Sequence, residues 1–378
     1  MTLATDHCIT GRRWYNPHLP VAIMRNSSRF LPLIVPTLIT LSCSSALTGL
    51  VPGAAQAHGP LVTADPLATA TGTPFPPSPA TGTPLPTATA TATPLATPTA
   101  VDPWGYYAAP SEPSAIDVPR EVPVIPFAED VVNFVLLGSD QRPFTGGHRT
   151  DTIMVVSLDP TRGTVTLLSM PRDLYVYVPG WRVNRINVAD GRGGPDLVEQ
   201  TILYNFGIPI DFWVRINFGG FSTLVDSLGG IDVSIGRSYA DECGGQWMVF
   251  SPGTRHMDGY TALCYTRMRK SSSDFDRLRR QQEVVLAIFN KAVSLDALER
   301  LPELYNQYVS LVDTDAGLDD LLPLVPLGVQ VAGDSTRIRR FSVDTTMATG
   351  WRVPYSGASV QLPDREKILE MLAIAFPQ

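Results

Sequence analysis

Residues 131–173 constrain the fold more than any other stretch. An apolar run from Val131 to Leu137 reads as a buried strand and breaks at Gly138-Ser139-Asp140, a turn that leaves Asp140 at the strand's mouth. A loop, Gly147-His148-Arg149-Thr150-Asp151, leads into two β-rich runs, Thr152–Leu158 and Thr164–Met170. Asp159-Pro160-Thr161-Arg162-Gly163 joins them, the pattern of a hairpin. The second run stops at Pro171-Arg172-Asp173. Asp140, Arg149, Asp151 and Arg172 therefore fall at strand ends or in adjoining loops, where sites are usually built. Carboxylates beside arginines suit a hard cation shared with a phosphate, because Mg²⁺ takes oxygen ligands and guanidinium forks take phosphate oxygens. A purely structural reading stands beside this one: the aspartates cap turns and each arginine pairs with a neighbouring acid.

The chain is acidic, with a net charge of −7 and a pI of about 5.3, which argues against a nucleic-acid binder. Arginines that cluster in such a chain are a local feature. Of the four cysteines, Cys8 and Cys43 lie before or within an apolar N-terminal segment, leaving Cys243 and Cys264 downstream. Three fates are open for that pair: a disulfide if the region is exported, a zinc site with His256, or buried free thiols.

Residues 1–29 are polar and carry Arg12, Arg13, Arg25 and Arg29. Leu31 to Val51 is almost wholly apolar, and the arginines before it place the N-terminus in the cytoplasm. Residues 30–57 thus form a transmembrane anchor or a signal peptide, with Ala55-Gln56-Ala57 resembling a cleavage site and Met24 an alternative start. Lipid attachment at Cys43 is a third route, poorly served by Thr40-Leu41-Ser42. Each places the remainder at the cell membrane but outside the cytoplasm, or secreted if the signal is cleaved. Residues 58–126, rich in Pro, Thr and Ala, cannot bury a core and read as a disordered linker. Roughly 70 residues in extended geometry reach on the order of 200 Å.

A folded domain is expected over residues 127–378. Asp196–Phe206, closed by Gly207, and Phe218–Leu228, closed by Gly229-Gly230, read as helices. Asp211–Asn217 and Ile231–Ile235 read as strands. The expected class is α/β, one layered domain with a mixed central sheet flanked by helices. After a Gly-rich excursion over 236–260, Thr261–Thr266 reads as a strand or a buried segment, and in a strand Arg267 and Arg269 would point to one face. A long helix follows from Asp274 or Asp276 to about Val293, with Leu278, Val285, Ile288 and Phe289 on its apolar side. Arg277, Arg280 and Gln281 can share another face. This helix could form a second wall around an anion, or a solvated basic face balanced by Asp274, Asp276 and Glu283. Leu318–Val331 and Asp364–Ala375 supply further packing.

Several chemistries are excluded by what the folded part lacks. A Ser/His/Asp mechanism needs a histidine base; only His148 and His256 lie in the folded part, and there is no G-x-S-x-G elbow around Ser139. Walker, Rossmann and HExxH signatures are also absent. What remains is an Arg- and Asp-rich site outside the cell, where a substrate must bring its own activated phosphate, such as a polyprenyl-pyrophosphate sugar. Long apolar residues on the helices could line a groove for its tail.

These motifs resemble the LytR-CpsA-Psr family of cell-wall ligases. The likeness covers about residues 129–295 and rests on NFVLLGSDQR, HRTDTIMVVSLDP, VTLLSMPRDLYVYVPG, RINVADGRGGPD, GIPIDFWVRINFGGFSTLVDSLGGIDV, PGTRHMDGYTALCYTRMR and DFDRLRRQQ, in that order. The resemblance implies transfer of a glycopolymer from an undecaprenyl-pyrophosphate carrier onto peptidoglycan, in an α/β fold with a deep apolar tunnel for the lipid. It implies Mg²⁺ (or Mn²⁺) on Asp140 and Asp151, and phosphates on Arg149, Arg172, Arg267 and Arg269, with Arg277 and Gln281 completing the pocket. Arg149, Asp151 and Arg172 would act in catalysis, Arg149 against the transferred phosphate. A Cys243–Cys264 disulfide looks like a variation found in some members. One departure is Ser273-Asp274, where the family commonly has Gly-Asp before the long helix. Two rival functions remain: a pyrophosphatase that hydrolyses the carrier, and a non-enzymatic module that binds lipid phosphate or wall polymer.

Overall fold

The central sheet grows out of the 131–173 stretch. The structure, a computed structural model, describes residues 107–141, 148–269, 273–294 and 301–377. The expected cytoplasmic segment, the anchor or signal over 30–57 and most of the expected linker lie outside these residues. Strands β1 (Val132–Gln141), β2 (His148–Asp159) and β3 (Thr164–Met170) form an antiparallel meander. Gly163 closes the β2–β3 turn at φ 62°, and Asp159 accepts from the Arg162 amide at 2.8 Å. A small hairpin follows, β4 (Tyr175–Val178) with β5 (Arg182–Arg185). Next comes α1 (Val188–Phe206), broken at Gly193-Gly194 before Pro195 and closed by left-handed Gly207.

Strand β6 (Phe212–Asn217) lies parallel to β1 and runs into α2 (Phe218–Ser227), capped by the Asn217 side chain. The excursion over 236–260 resolves into ordered hairpins. β7 (Ile231–Ile235) pairs with β10 (Gly253–Met257), and β8 (Tyr239–Cys243) with β9 (Gln246–Phe250). Strand β7 is therefore not part of the central sheet.

Next are α3 (Gly259–Arg267), α4 (Asp274–Ser294), α5 (Leu301–Tyr308), β11 (Asp313–Thr314), α6 (Leu318–Leu321) and α7 (Val325–Gly333). The chain ends with β12 (Ile338–Ser342), β13 (Ala348–Arg352), β14 (Ser359–Pro363) and α8 (Arg365–Ala375). The sheet order is β11-β6-β1-β2-β3-β12, with β1/β6 and β3/β12 parallel and the rest antiparallel: a mixed sheet between helices, as the patterning predicts. One face, with Val135, Leu137, Ile153, Val155, Leu168 and Met170, packs on α1 and α8. The other meets α4, where Gln282 donates to Ser169 Oγ at 2.9 Å and to the Phe341 carbonyl at 2.8 Å. Among the described residues no helix is long and apolar enough to cross a membrane.

Two expectations need correction. Residues 261–266 are helical, not a strand. Asp258 caps α3 by accepting from the Thr261 amide at 2.8 Å, and Gly259 lets the helix start against the Ser222 backbone, where a Cβ would stand 2.1 Å from the carbonyl oxygen. A short apolar run is ambiguous between the two periods, and the cap decides it here. The folded unit also starts before Phe127. Residues 107–126 lie along the β4–β5 hairpin and α1, with Tyr107 edge-on to Tyr204 and Ile116 and Val118 against the same aromatic cluster. Val122 is buried, and Tyr177 Oη donates to the Ala108 carbonyl at 2.7 Å. Proline-rich composition masks these widely spaced apolar anchors.

Candidate functional site

A β-bulge builds the mouth of the site. Strands β1 and β2 stay in register from Val132↔Leu158 to Gly138↔Thr152, then shift so that Ser139 faces Thr150 and Asp140 faces Arg149. Asp151 is the residue skipped, and bulges of this kind re-aim side chains near sites. Both strands run further than the sequence pattern suggests, so Asp140, Arg149 and Asp151 stand on strand ends rather than in loops. Gly138 is needed here: a Cβ would stand 2.8 Å from Thr152 Oγ1.

Arginines from distant parts of the chain converge on Asp151. Arg172 Nη1 donates to Asp151 Oδ1 at 2.6 Å, and Arg269 Nη2 lies 3.8 Å from Asp151 Oδ2. Arg172 also pairs with Asp173, which in turn reaches Arg185 at 3.3 Å. Burial works against the Arg172 charge, yet the hydrogen bond and charge of Asp151, with Asp173 and Asp274, outweigh it and raise its pKa.

Arg277 on α4 is the most demanding group. It is 2% exposed, and none of its three guanidinium nitrogens has a hydrogen-bond partner; Nη1 lies within ion-pair distance of Asp274, 3.0 Å, but in poor geometry. Burial depresses its pKa; Asp274 and Asp151 oppose the shift, while Arg172 and Arg269 add to it. One turn on, Gln281 is buried with Oε1 unpaired. A buried cation among cations, with its donors unpaired, matches an anion with several acceptor oxygens.

Not every arginine on α4 joins. Arg280 points away, donating to the carbonyls of Tyr265 at 3.0 Å and Met268 at 2.7 Å and stacking on Tyr239, so it locks α3 to α4. Arg267, at the end of α3, stacks 4.3 Å over Phe218 and does not share a strand face with Arg269. Phe218 follows Asn217, which registers with Ser139, so Arg267 still stands at the same end of the sheet. Ser273 replaces the expected glycine by forming a reciprocal cap with Asp276, its hydroxyl 3.1 Å from the Asp276 amide and its own amide 3.2 Å from Asp276 Oδ2.

The cysteines are bonded, Cys243 to Cys264, with Cα atoms 5.8 Å apart, tying β8 to α3. His256 instead pairs with Asp232 at 2.9 Å. Buried Asp241 on β8 accepts from the Arg269 amide at 2.5 Å, so the hairpin also fixes the backbone of a site arginine. Sequence reasoning missed Asp241, and also the buried Asp190, which accepts from Thr150 at 2.9 Å behind the bulge.

The α4 side of the sheet offers an apolar track leading away from the arginines. Register places Val214, Leu136, Met154 and Ser169 in one row, and Phe212, Phe134, Val156 and Leu167 in the next. Leu136, Val156, Phe212 and Val214 stay only half-buried, as do Val285 and Phe289 on the α4 face that carries Gln282. Two hollows lie elsewhere, one lined by Tyr175, Phe206 and Ile368, the other by Phe127, Asp159 and Arg339. Neither is the deep tunnel that the resemblance implies.

Among the described residues no three His, Cys, Asp or Glu side chains gather as a metal cluster. The oxygen donors of Asp140 and Asp151, on neighbouring strand ends, suit a hard cation that takes its other ligands from phosphate and water.

Residues 108–375 match the model of the LytR_cpsA_psr family. A polyisoprenyl-teichoic acid–peptidoglycan teichoic acid transferase, TagU, of Oceanobacillus iheyensis is 34% identical over 223 residues, 57% of this chain and 68% of the relative. A probable cell wall biosynthesis protein, LcpB, of Corynebacterium glutamicum is 38% identical over 177 residues, 43% of this chain but only 42% of the relative. The crystal structure of B. subtilis TagV superposes with a TM-score of 0.57 at 26% identity, covering 66% of this chain and 98% of TagV. A structure described as TagT bound to LI-WTA gives 0.52 at 25% identity, covering 68% and 97%.

Proposed function

The chain belongs to the LytR_cpsA_psr family, and from that premise we propose that it is an extracytoplasmic phosphotransferase, moving a glycopolymer from an undecaprenyl-pyrophosphate carrier to peptidoglycan. The observation that carries this reading is Arg277: a buried guanidinium with unpaired donors, beside Arg172 and Arg269. A diphosphate supplies the acceptor oxygens and negative charge that this cluster lacks.

The carrier diphosphate binds across Arg172, Arg269 and Arg277, with Arg149 at the open edge and Gln281 completing the pocket. Arg267 takes part only if it leaves Phe218. The polyprenyl tail lies along the track of Phe212, Val214, Leu136 and Val156. A peptidoglycan hydroxyl attacks the sugar-linked phosphorus. The new P–O bond forms as the bond to the bridging oxygen breaks, and undecaprenyl phosphate leaves with the bridging oxygen. Asp140 or Asp151 takes the hydroxyl proton, acting as a weak base because the same carboxylates would hold the metal. The arginines stabilise the charge that gathers on the leaving phosphate. Asp140 and Asp151 would hold Mg²⁺ (or Mn²⁺), which, when bound, neutralises diphosphate charge and polarises the phosphorus. The apolar N-terminal segment and the linker place this domain on the outer side of the cell membrane, where a disulfide is stable.

The test is product analysis with a labelled lipid-linked glycan, with and without peptidoglycan. Transfer predicts label on peptidoglycan as a phosphodiester and release of undecaprenyl phosphate. Equal glycan-phosphate release without peptidoglycan would identify a pyrophosphatase, and binding without turnover a binding module.

A further inference from the structure

Directly behind the arginines, on the α1 side of the sheet, Asp190 is a carboxylate whose side chain has no exposure at all. It accepts from Thr150 Oγ1 at 2.9 Å and from Arg215 Nη1 at 2.9 Å, and Arg215 reaches on to Asp313 at 3.2 Å. Burying a charged pair is costly, so its location calls for an explanation. Thr150 sits between Arg149 and Asp151. In an uninterrupted strand the side chains alternate, and Asp151 would point with Ile153 toward α1. The register shift removes that alternation: Thr150 turns to α1, Asp151 reaches Arg172 and Arg269, and Arg149, next to Thr150 and opposite Asp140, falls on the other face from Thr150 by alternation.

We propose that Asp190, held by Arg215, is a positioning residue that locks the bulge through Thr150 and so sets where the Asp151 carboxylate and Arg149 stand. Without the Thr150 contact the strand could slip back by one residue, which would carry Asp151 to the wrong face. The effect on turnover rests on the phosphotransfer reading above; the effect on the bulge does not.

The experiment compares Thr150→Val, which keeps the side chain's shape but removes the donor, with Thr150→Ser, which keeps the donor, in the full chain. Thr150→Val is expected to lower kcat by about 10- to 100-fold, as loss of a supporting partner typically does, and to raise the Mg²⁺ concentration needed for half-maximal rate. KM for the lipid-linked glycan stays near that of the parent protein, because Arg269 and Arg277 keep their supports. Thr150→Ser restores kcat. Val360→Ala, in the aromatic cluster of Tyr177 and Tyr204, is expected to lower Tm without changing kcat. If Thr150→Val proves insoluble, Asp190→Asn takes its place. A loss of kcat no greater than in Val360→Ala, or no rescue by Thr150→Ser, overturns the proposal. If the parent protein itself transfers nothing, the phosphotransfer reading fails, and the crystal structure of Thr150→Val still decides this inference. Asp151 parted from Arg172 supports the lock; an unchanged register contradicts it.

Discussion

Arg172 donates to Asp151 at 2.6 Å across the mouth of the sheet, joining the end of β3 to the bulge of β2. Arg172 keeps that hydrogen bond although its Nε makes none, whereas none of the three guanidinium nitrogens of Arg277 has a hydrogen-bond partner. Much of the behaviour of this domain should follow from that contrast, because a hydrogen-bonded ion pair supports the fold and a buried cation whose donors make no hydrogen bond burdens it.

Replacing Arg277 with Met should therefore stabilise the free domain, on the order of 1 kcal/mol, while abolishing transfer. Thermal unfolding of the purified domain beside a transfer assay checks this; a lower Tm in Arg277→Met would show that Asp274 already satisfies the cation.

Arg172→Ala should behave in the opposite way. It strips Asp151 of its closest partner, so both transfer and stability fall, the latter by about 1–3 kcal/mol for a charged hydrogen bond. Chemical unfolding of Arg172→Ala against the parent protein measures it, and an unchanged midpoint would place the pair's role in binding alone.

The Cys243–Cys264 bond closes a separation of 21 residues and should contribute roughly 3 kcal/mol. Reduction, or Cys243→Ser with Cys264→Ser, should lower Tm and loosen the β8–β9 hairpin that holds the Arg269 amide through Asp241. Protection of that amide from hydrogen exchange is the site-specific readout, and unchanged protection would separate the disulfide from the site.

Asp276 gives a pH signature. Burial pushes its carboxyl up, but the Ser273 amide and hydroxyl, Arg237 and Arg279 outweigh this and hold it below the usual carboxylate range. A depressed folded pKa stabilises above the unfolded value, about 3.9, and that contribution is lost as pH falls through the folded value. Asp276→Asn should thus be less stable than the parent at neutral pH by about 0.5–1 kcal/mol, with the gap closing in acid. A gap that persists below the folded pKa would mean that the cap acts through shape and not charge.

The sheet and the identity of most site residues are legible in the chain because period-2 apolar runs and charged strand ends are local signals. The bulge at Asp151 is not, since it appears only in the pairing of β1 with β2. Arg277 and Arg280 look alike on a helical wheel, yet one faces the site and the other bonds the carbonyls of Tyr265 and Met268. Spacing alone does not separate them, because what differs is the partner each meets from elsewhere in the chain. The short run at 261–266 carries no decisive period, and its helical state is set by the Asp258 cap on the Thr261 amide. The anchors at Tyr107, Ile116 and Val118 were hidden by surrounding prolines.

Calorimetric titration with a soluble, short-chain polyprenyl diphosphate in the presence of Mg²⁺ asks whether Arg277 holds the diphosphate. Saturable binding by the parent domain is expected, weakened about 10- to 100-fold in Arg277→Met through the loss of charged hydrogen bonds. Equal affinity in the two proteins would contradict it, since the diphosphate would then sit somewhere other than on the buried guanidinium.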